Sequence, residues 1–247
     1  MKVIAYDVDT GKDFMNMNGA LPVTGVLYRV LDGEEVNLKA EGLGADTIKP
    51  TLRYVKNYFN RKASENPEEY KRGGSIDRHF KWELNKSLEF LPPEKGGQGF
   101  PPHCMDGTEG MEKIAETAWV TPVYVEHQLA DESIRKYSEI ELDKIASHNG
   151  DIVFEKQHYD VFTNPAAEKI LNKMNIGAGF VYGVATDWCV KAAVLGMRER
   201  GMDVYVIEDA IYAVNATKNA GKEAIAGMKD AGAKFIKSTE LESILGG

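Results

Sequence analysis

Cys189 is the strongest candidate for covalent chemistry in this sequence. Residues 178–185 (AGFVYGVA) predict a buried strand, and residues 189–201 predict an amphipathic helix with Thr186 or Asp187 as its N-cap. Cys189 would then lie in the first helical turn, where unpaired N–H groups and the helix dipole favour a thiolate and can hold an oxyanion. The alternative is a small buried hydrophobic side chain, a common role for cysteine.

Two further reactive side chains follow strands that we expect in the same sheet. Asp7 ends the apolar run KVIAY, and Lys156 ends the run DIVFE. Burial would raise the pKa of Asp7 and suit it to general acid/base catalysis, while Lys156 could hold Asp7 and the thiolate electrostatically. The simpler alternatives are a turn residue for Asp7 and a solvated cation for Lys156.

Asp77, His79, Glu89 and His103 form a second set, with the composition of a metal site. Residues two apart on a strand share a face, so Asp77 and His79 can present an oxygen and a nitrogen to one ion. His103 would come from the proline-rich loop over residues 91–110. Mixed carboxylate and imidazole ligands suit zinc, iron or manganese, and we predict a divalent ion of one of these kinds.

Cys104, next to His103, is a rival nucleophile with histidine as its base. We disfavour it because it follows Pro-Pro-His in a loop, without a helix N-terminus to lower its pKa. Phe14, Phe100 and Trp188 are candidates for holding a flat substrate, with core packing as the alternative for each.

The elements that must position these residues alternate between strand and helix patterns. Short apolar runs that end in Gly or Asp alternate with stretches of helical period, which predicts a three-layer α/β/α sandwich with a mainly parallel sheet. Ligands of such sheets bind outside the carboxyl ends of the strands. We expect a single domain over residues 1–247, with elaborations around 25–75 and 111–148 that could alter substrate choice or build a homo-oligomer interface.

Composition narrows the partners to small molecules. The chain carries 30 Lys and Arg against 38 Asp and Glu, a net charge of -8, so it lacks a basic surface for nucleic acid or an anionic membrane. The amino terminus reaches acidic residues before a signal-peptide core could form, so we expect a cytoplasmic protein. The two cysteines are too few for a disulfide framework.

Four segments resemble the isochorismatase-like cysteine hydrolases, and within them the nicotinamidases. They are VIAYDVDTGKDFMNMNGALPV, IDRH, FPPHCMDGTEG and YGVATDWCVKAAVLGMRERGMDVYVIEDAI. The resemblance implies the isochorismatase-like hydrolase fold and hydrolysis of an amide, nicotinamide to nicotinic acid and ammonia, through a thioester.

The resemblance also implies a role for each candidate residue. Asp7, Lys156 and Cys189 would form the catalytic triad, and the N–H groups of Ala185 and Cys189 would form the oxyanion hole beside a cis Val184–Ala185 peptide. Asp77, His79 and His103, with Glu89 in some members, would bind a metal that contacts the pyridine nitrogen. Phe14 and Phe100 would flank the ring.

The opening segment departs from the family pattern. That pattern has glutamine two residues after the catalytic aspartate and Asp-Phe four and five residues after it. Counted from Asp7, the glutamine is replaced by Asp9, and Asp13 and Phe14 lie six and seven residues on. A tryptophan that is common before the His-Cys pair is Phe100 here.

Three hypotheses follow from the sequence. The first is a metal-dependent nicotinamidase. The second is another amidohydrolase of the same family that acts on a carbamoyl or ureido compound, with the Asp-His cluster serving structure. The third is a non-catalytic member that uses the pocket for binding.

Overall fold

A seven-stranded sheet forms the centre of the computed structural model, which describes residues 2–246. The strand order is β3-β4-β2-β1-β5-β6-β7, and every pair of neighbouring strands is parallel. The strands are β1 (Lys2–Val8), β2 (Tyr70–Asp77), β3 (Val123–Val125), β4 (Asp151–Lys156), β5 (Ile176–Val184), β6 (Asp203–Tyr212) and β7 (Lys234–Ile236). The helices are α1 (Lys12–Met15), α2 (Leu27–Leu31), α3 (Leu38–Glu41), α4 (Lys49–Glu65), α5 (Glu139–Ala146), α6 (Pro165–Lys173), α7 (Lys191–Glu199), α8 (Ala220–Asp230) and α9 (Leu241–Leu245).

Alternate residues of each strand pack into two hydrophobic cores, one on each face of the sheet. In β1, Ile4, Tyr6 and Val8 join the core formed with α5, α6, α7 and α8. Val3 and Ala5 point the other way, into the core formed with α4 and α9. This period of two is what a strand buried on both faces requires, and the predicted three-layer α/β/α sandwich is confirmed.

β2 begins in a charged segment. Although YKRGG carries a lysine and an arginine, the strand starts at Tyr70 and buries Lys71 and Arg72. The Arg72 guanidinium lies 3.2 Å from the Asp151 carboxylate, which also accepts a hydrogen bond from the Lys56 ammonium at 2.8 Å. The buried carboxylate compensates both charges, so the chain can continue as a central strand.

Part of the expected elaboration at 111–148 belongs to the sheet itself. β3 pairs with β4 along one edge, and α5 packs against α6. No helix within residues 2–246 is long and apolar enough to cross a membrane.

Candidate active site

The carboxyl ends of four strands bring an acid, a cation and a thiol together. Asp9 follows β1, Lys156 ends β4, and Cys189 follows β5. The Lys156 ammonium lies 2.8 Å from the Asp9 carboxylate and 3.4 Å from the Cys189 sulfur. It also donates to Asp77 at the end of β2. All four side chains are buried.

Asp7 does not face this cluster, contrary to the expectation from the sequence. Its carboxylate accepts hydrogen bonds from the Lys113 ammonium at 2.7 Å and the Thr10 hydroxyl at 2.8 Å. Strand geometry gives the reason. Asp7 lies on the same face of the sheet as Val3 and Ala5. Lys156 lies on the other face, with Ile152 and Phe154 of β4.

Asp9 occupies the position that the sequence analysis gave to Asp7. It lies one residue beyond β1, with a left-handed φ of 48°. Its side-chain oxygen, an oxygen of Asp77 and the Cys189 sulfur all lie within 4.8 Å of one another. The sequence held the signal, since Asp13 and Phe14 stand four and five residues after Asp9, the spacing that the resemblance implies.

Cys189 lies in one wide turn of π-helical backbone, Thr186–Val190, that leads directly into α7. The Val184–Ala185 peptide is cis, as the resemblance implies. Gly183 allows β5 to end here, because its φ is 117° and a Cβ would meet the Val8 carbonyl oxygen at 2.1 Å. A strand, a tight turn and a helix therefore place the thiol as the sequence pattern predicts, although the regular helix begins two residues later.

Burial dominates the electrostatics of the cluster. It raises the pKa of the Cys189 thiol well above its usual value, although Lys156 opposes the shift. Burial also raises the pKa of Asp9, again against Lys156. A neighbouring base would help such a buried thiol to ionise. Asp9 is a buried carboxylate beside the thiol that is not among the predicted metal ligands.

Asp77, His79 and His103 converge beside this cluster, with three potential ligand atoms within 4.8 Å of one another. A Glu89 carboxylate oxygen lies 3.7 Å from Nε2 of His79 and 3.6 Å from Nε2 of His103. The structure therefore brings together all four residues that the sequence assigned to a metal. Two carboxylates, from Asp77 and Glu89, and two imidazoles suit zinc, iron or manganese.

The hydrogen bonds of both imidazoles leave Nε2 directed at this site. Nδ1 of His103 lies 2.8 Å from the Pro101 carbonyl oxygen, which can only accept, so Nδ1 carries the proton. Nδ1 of His79 lies 2.9 Å from the Glu83 carboxylate, and its buried Nε2 has no hydrogen-bond partner within residues 2–246. An orphaned buried nitrogen beside a second free Nε2 and a carboxylate fits a divalent ion.

The loop that carries His103 is held along the end of β2. The His79 N–H donates to the Cys104 carbonyl at 3.0 Å, and the Asp106 N–H donates to the His79 carbonyl at 2.8 Å. From the other side, Asp13 accepts the Cys104 N–H at 2.7 Å. The Cys104 thiol faces the Gly110 carbonyl at 3.8 Å, and burial raises its pKa. These contacts indicate that Cys104 helps to hold the loop in place.

A cavity with about 440 Å³ of empty space joins the thiol to the predicted metal site. Its lining comprises Phe14, Leu21, Val23, Asp77, Glu89, Phe100, His103, Tyr159, Val184, Ala185, Trp188, Cys189 and Val214. The three aromatic residues singled out from the sequence all line it. Ring centroids lie 5.7 Å apart for Phe100 and Trp188, and 5.4 Å apart for Phe14 and His103. Tyr159, which the sequence analysis missed, lies 4.7 Å from Trp188.

A family comparison finds a partial match. Residues 126–240, which include β4 to β7, Lys156 and Cys189, match the model of the isochorismatase domain. This part of the chain is similar to isochorismatase domains, which confirms the resemblance found in the sequence. A search of curated proteins finds no match to the chain.

Solved structures with the same fold include several amide hydrolases. A nicotinamidase from Bacillus subtilis is 20% identical, with a TM-score of 0.61 over 96% of this chain and 100% of that chain. A pyrazinamidase of Pyrococcus horikoshii in complex with zinc is 22% identical, with a TM-score of 0.61 over 96% and 99%. An N-carbamoylsarcosine amidase from Thermoplasma acidophilum is 20% identical, with a TM-score of 0.58 over 98% and 99%. At these identities, the likeness establishes the fold.

Proposed function

We propose that the protein is a cysteine-dependent amidohydrolase that converts nicotinamide to nicotinic acid and ammonia, with Asp9, Lys156 and Cys189 as its catalytic residues. The observation that carries the proposal is one cavity lined both by Cys189, the thiol of this triad, and by Asp77, Glu89 and His103 of the predicted metal-ligand set. A flat amide with a ring nitrogen fits both groups, because its carbonyl carbon can be attacked by the thiol and its nitrogen lone pair can bind a metal.

Acylation begins with proton transfer from the Cys189 thiol to the Asp9 carboxylate. The sulfur then attacks the amide carbon, and the carbonyl electron pair moves onto oxygen. N–H groups of Ala185 and Cys189, at the start of the nucleophile turn, would hold that oxyanion. When it collapses, the C–N bond breaks and Asp9 returns its proton to the nitrogen, which leaves as ammonia. Lys156 stabilises the ionised forms of both neighbours.

Deacylation uses the same aspartate in the opposite direction. Asp9, now ionised, takes a proton from water as the oxygen attacks the thioester carbon. The tetrahedral intermediate collapses, the C–S bond breaks, and the proton on Asp9 returns to the Cys189 sulfur. The sum is amide plus water to acid plus ammonia, with the enzyme unchanged.

Asp77, His79, His103 and Glu89 would hold a divalent metal, for which we favour zinc, with iron or manganese as alternatives. Bound there, it would supply a Lewis acid that accepts a ring-nitrogen lone pair. Phe14, Phe100 and Trp188 supply ring faces on the cavity wall. These side chains also exclude water from the thioester until ammonia has left.

The charge of the cavity wall favours a neutral substrate. Its lining holds the carboxylates of Asp77 and Glu89, and no lysine or arginine is among the residues that form it in the described part of the chain. An anionic substrate such as N-carbamoylsarcosine would find no lysine or arginine on this wall to pair with its carboxylate, at a cost in desolvation. This observation favours the pyridine amide over an anionic carbamoyl compound.

Ammonia release from nicotinamide, with and without a chelator, tests the proposal. We expect turnover that a chelator removes and added metal restores, and no turnover by Cys189→Ala. Pyrazinamide and an N-carbamoyl amino acid serve as comparison substrates. Turnover of the carbamoyl compound alone would establish the second hypothesis, and binding of nicotinamide without turnover would establish the non-catalytic one.

A further inference from the structure

The Asp9 carboxylate has two oxygens in different surroundings, and one residue sets the difference. Ser75 lies in β2, opposite Val8 of β1, and is 1% exposed. Its hydroxyl donates to Oδ1 of Asp9 at 2.8 Å, and its carbonyl oxygen accepts the Asp9 N–H at 3.2 Å. A single serine therefore contacts both the main chain and the side chain of Asp9.

Oδ2 of Asp9 is left for chemistry. It lies 2.8 Å from the Lys156 ammonium, and within residues 2–246 no hydrogen bond of good geometry is formed to it. The Lys113 ammonium approaches the Ser75 carbonyl from the opposite face of the sheet at 3.5 Å, which fixes the serine main chain in turn. Ser75 thus holds Oδ1, while Oδ2 has only the ion pair with Lys156 among the described residues and can receive and return a proton.

We propose that Ser75 is a positioning residue that holds Oδ1 of Asp9, so that Oδ2 serves as the proton-transferring oxygen toward Cys189. The inference rests on the proposed function, in which Asp9 accepts the thiol proton and returns it to the departing nitrogen. Without the serine hydroxyl, the carboxylate can rotate about its Cβ–Cγ bond and turn both oxygens to Lys156. The substrate would still bind, because Ser75 does not line the cavity.

Ser75→Ala tests the contact, and Ser238→Ala is its matched control. Ser238 is also buried, and it donates to the Asp209 carboxylate at 2.7 Å, away from the residues that line the cavity. Since a misplacement of about 1 Å can cost about 100-fold in rate, we expect Ser75→Ala to lower kcat about 10- to 100-fold. KM for nicotinamide should stay within about 2-fold, because no binding contact is lost. Ser238→Ala should leave both constants unchanged.

A second readout separates this inference from the proposed function. Alkylation of Cys189 by iodoacetamide at fixed pH, followed by mass spectrometry, needs no substrate and carries Cys104 as an internal reference. Ser75→Ala should slow alkylation of Cys189 relative to wild type, because Asp9 no longer takes the thiol proton efficiently. An inactive wild type with this slowing would refute the proposed function and support the positioning role.

Several outcomes would overturn the positioning role while the amidohydrolase stands. They are a wild-type kcat and alkylation rate in folded Ser75→Ala, an equal loss in Ser238→Ala, or a rise in KM without a fall in kcat. Should the alanine variant not fold, Ser75→Cys keeps similar bulk with a weak donor. We expect its kcat to fall below that of wild type, and an unchanged kcat would refute the role.

Discussion

Asp9 lies beside Cys189 and Lys156 where the sequence analysis expected Asp7, and paired asparagine substitutions test the catalytic role that we propose for Asp9. Asp9→Asn keeps the shape of the side chain but removes the base beside Cys189. General acid/base catalysis contributes about 10²- to 10⁴-fold, so we expect kcat to fall about 1,000-fold, equivalent to about 4 kcal/mol. The variant should fold, since Ser75 and Lys156 can still contact an amide.

Asp7→Asn should do the reverse and lower stability while sparing catalysis. It removes the negative charge that faces the buried Lys113 ammonium at 2.7 Å, although the amide oxygen can still accept one hydrogen bond. Breaking a buried ion pair from one side costs about 3–5 kcal/mol, and the retained hydrogen bond points to the lower end, about 3 kcal/mol. For a chain of this size, that lowers Tm by about 6–12 °C.

Ammonia release and thermal unfolding, measured on the same two preparations, separate the roles. We expect Asp7→Asn to keep kcat within about 3-fold below its lowered Tm, since general acid/base catalysis is intact. A folded Asp7→Asn without activity beside an active Asp9→Asn would refute the reasoning and restore the assignment made from the sequence. Equal loss in both variants would place the two carboxylates in one functional network.

Four substitutions and one pH profile test the rest of the site. Cys189→Ala should abolish ammonia release while Cys104→Ala retains it, and the opposite pattern would make Cys104 the nucleophile. His79→Ala should lose the bound metal, measured by elemental analysis against about one ion per chain in wild type. Asp187→Ala frees two N–H groups that it holds at 2.8 and 2.7 Å, so unfolding should need about 2 kcal/mol less, and denaturant titration would measure it. With a raised pKa for Asp9, kcat/KM should fall on the acid side above the usual range of an aspartate, because a protonated Asp9 cannot accept the thiol proton.

The site residues whose positions the sequence predicted correctly all depend on patterns within a few neighbouring residues. Cys189 follows a buried strand and precedes a helix, so its position depends on neighbours within a few residues. Lys156 ends an apolar run that forms β4 as predicted, and Asp77 and His79 have the two-residue spacing of one strand face. Periodicity and turn residues carry such information, because each depends on backbone geometry over short distances.

Long-range charge pairing could not be predicted in this way. Asp151 compensates Lys56 and Arg72, which lie 95 and 79 residues away, and this compensation lets a charged segment form a central strand. Lys113 lies 106 residues from Asp7, and the sequence marks neither residue as a partner of the other. Such pairs become visible only when the register of β1 and β2 and the course of the 104–117 loop are known.

Asp7 and Asp9 differ because β1 ends between them. Both are acids near the end of β1, and position at a strand end favours each equally. Asp7 lies within the strand and follows its alternation, so it shares the face of Val3 and Ala5, which is covered by α4. Asp9 has left the strand with a left-handed φ, and only such a break lets an odd-numbered residue turn toward the face of Lys156. The spacing from Asp9 to Asp13 and Phe14 is the sequence signal of this break. Asp13 accepts the Cys104 N–H and so helps to hold the loop that carries His103.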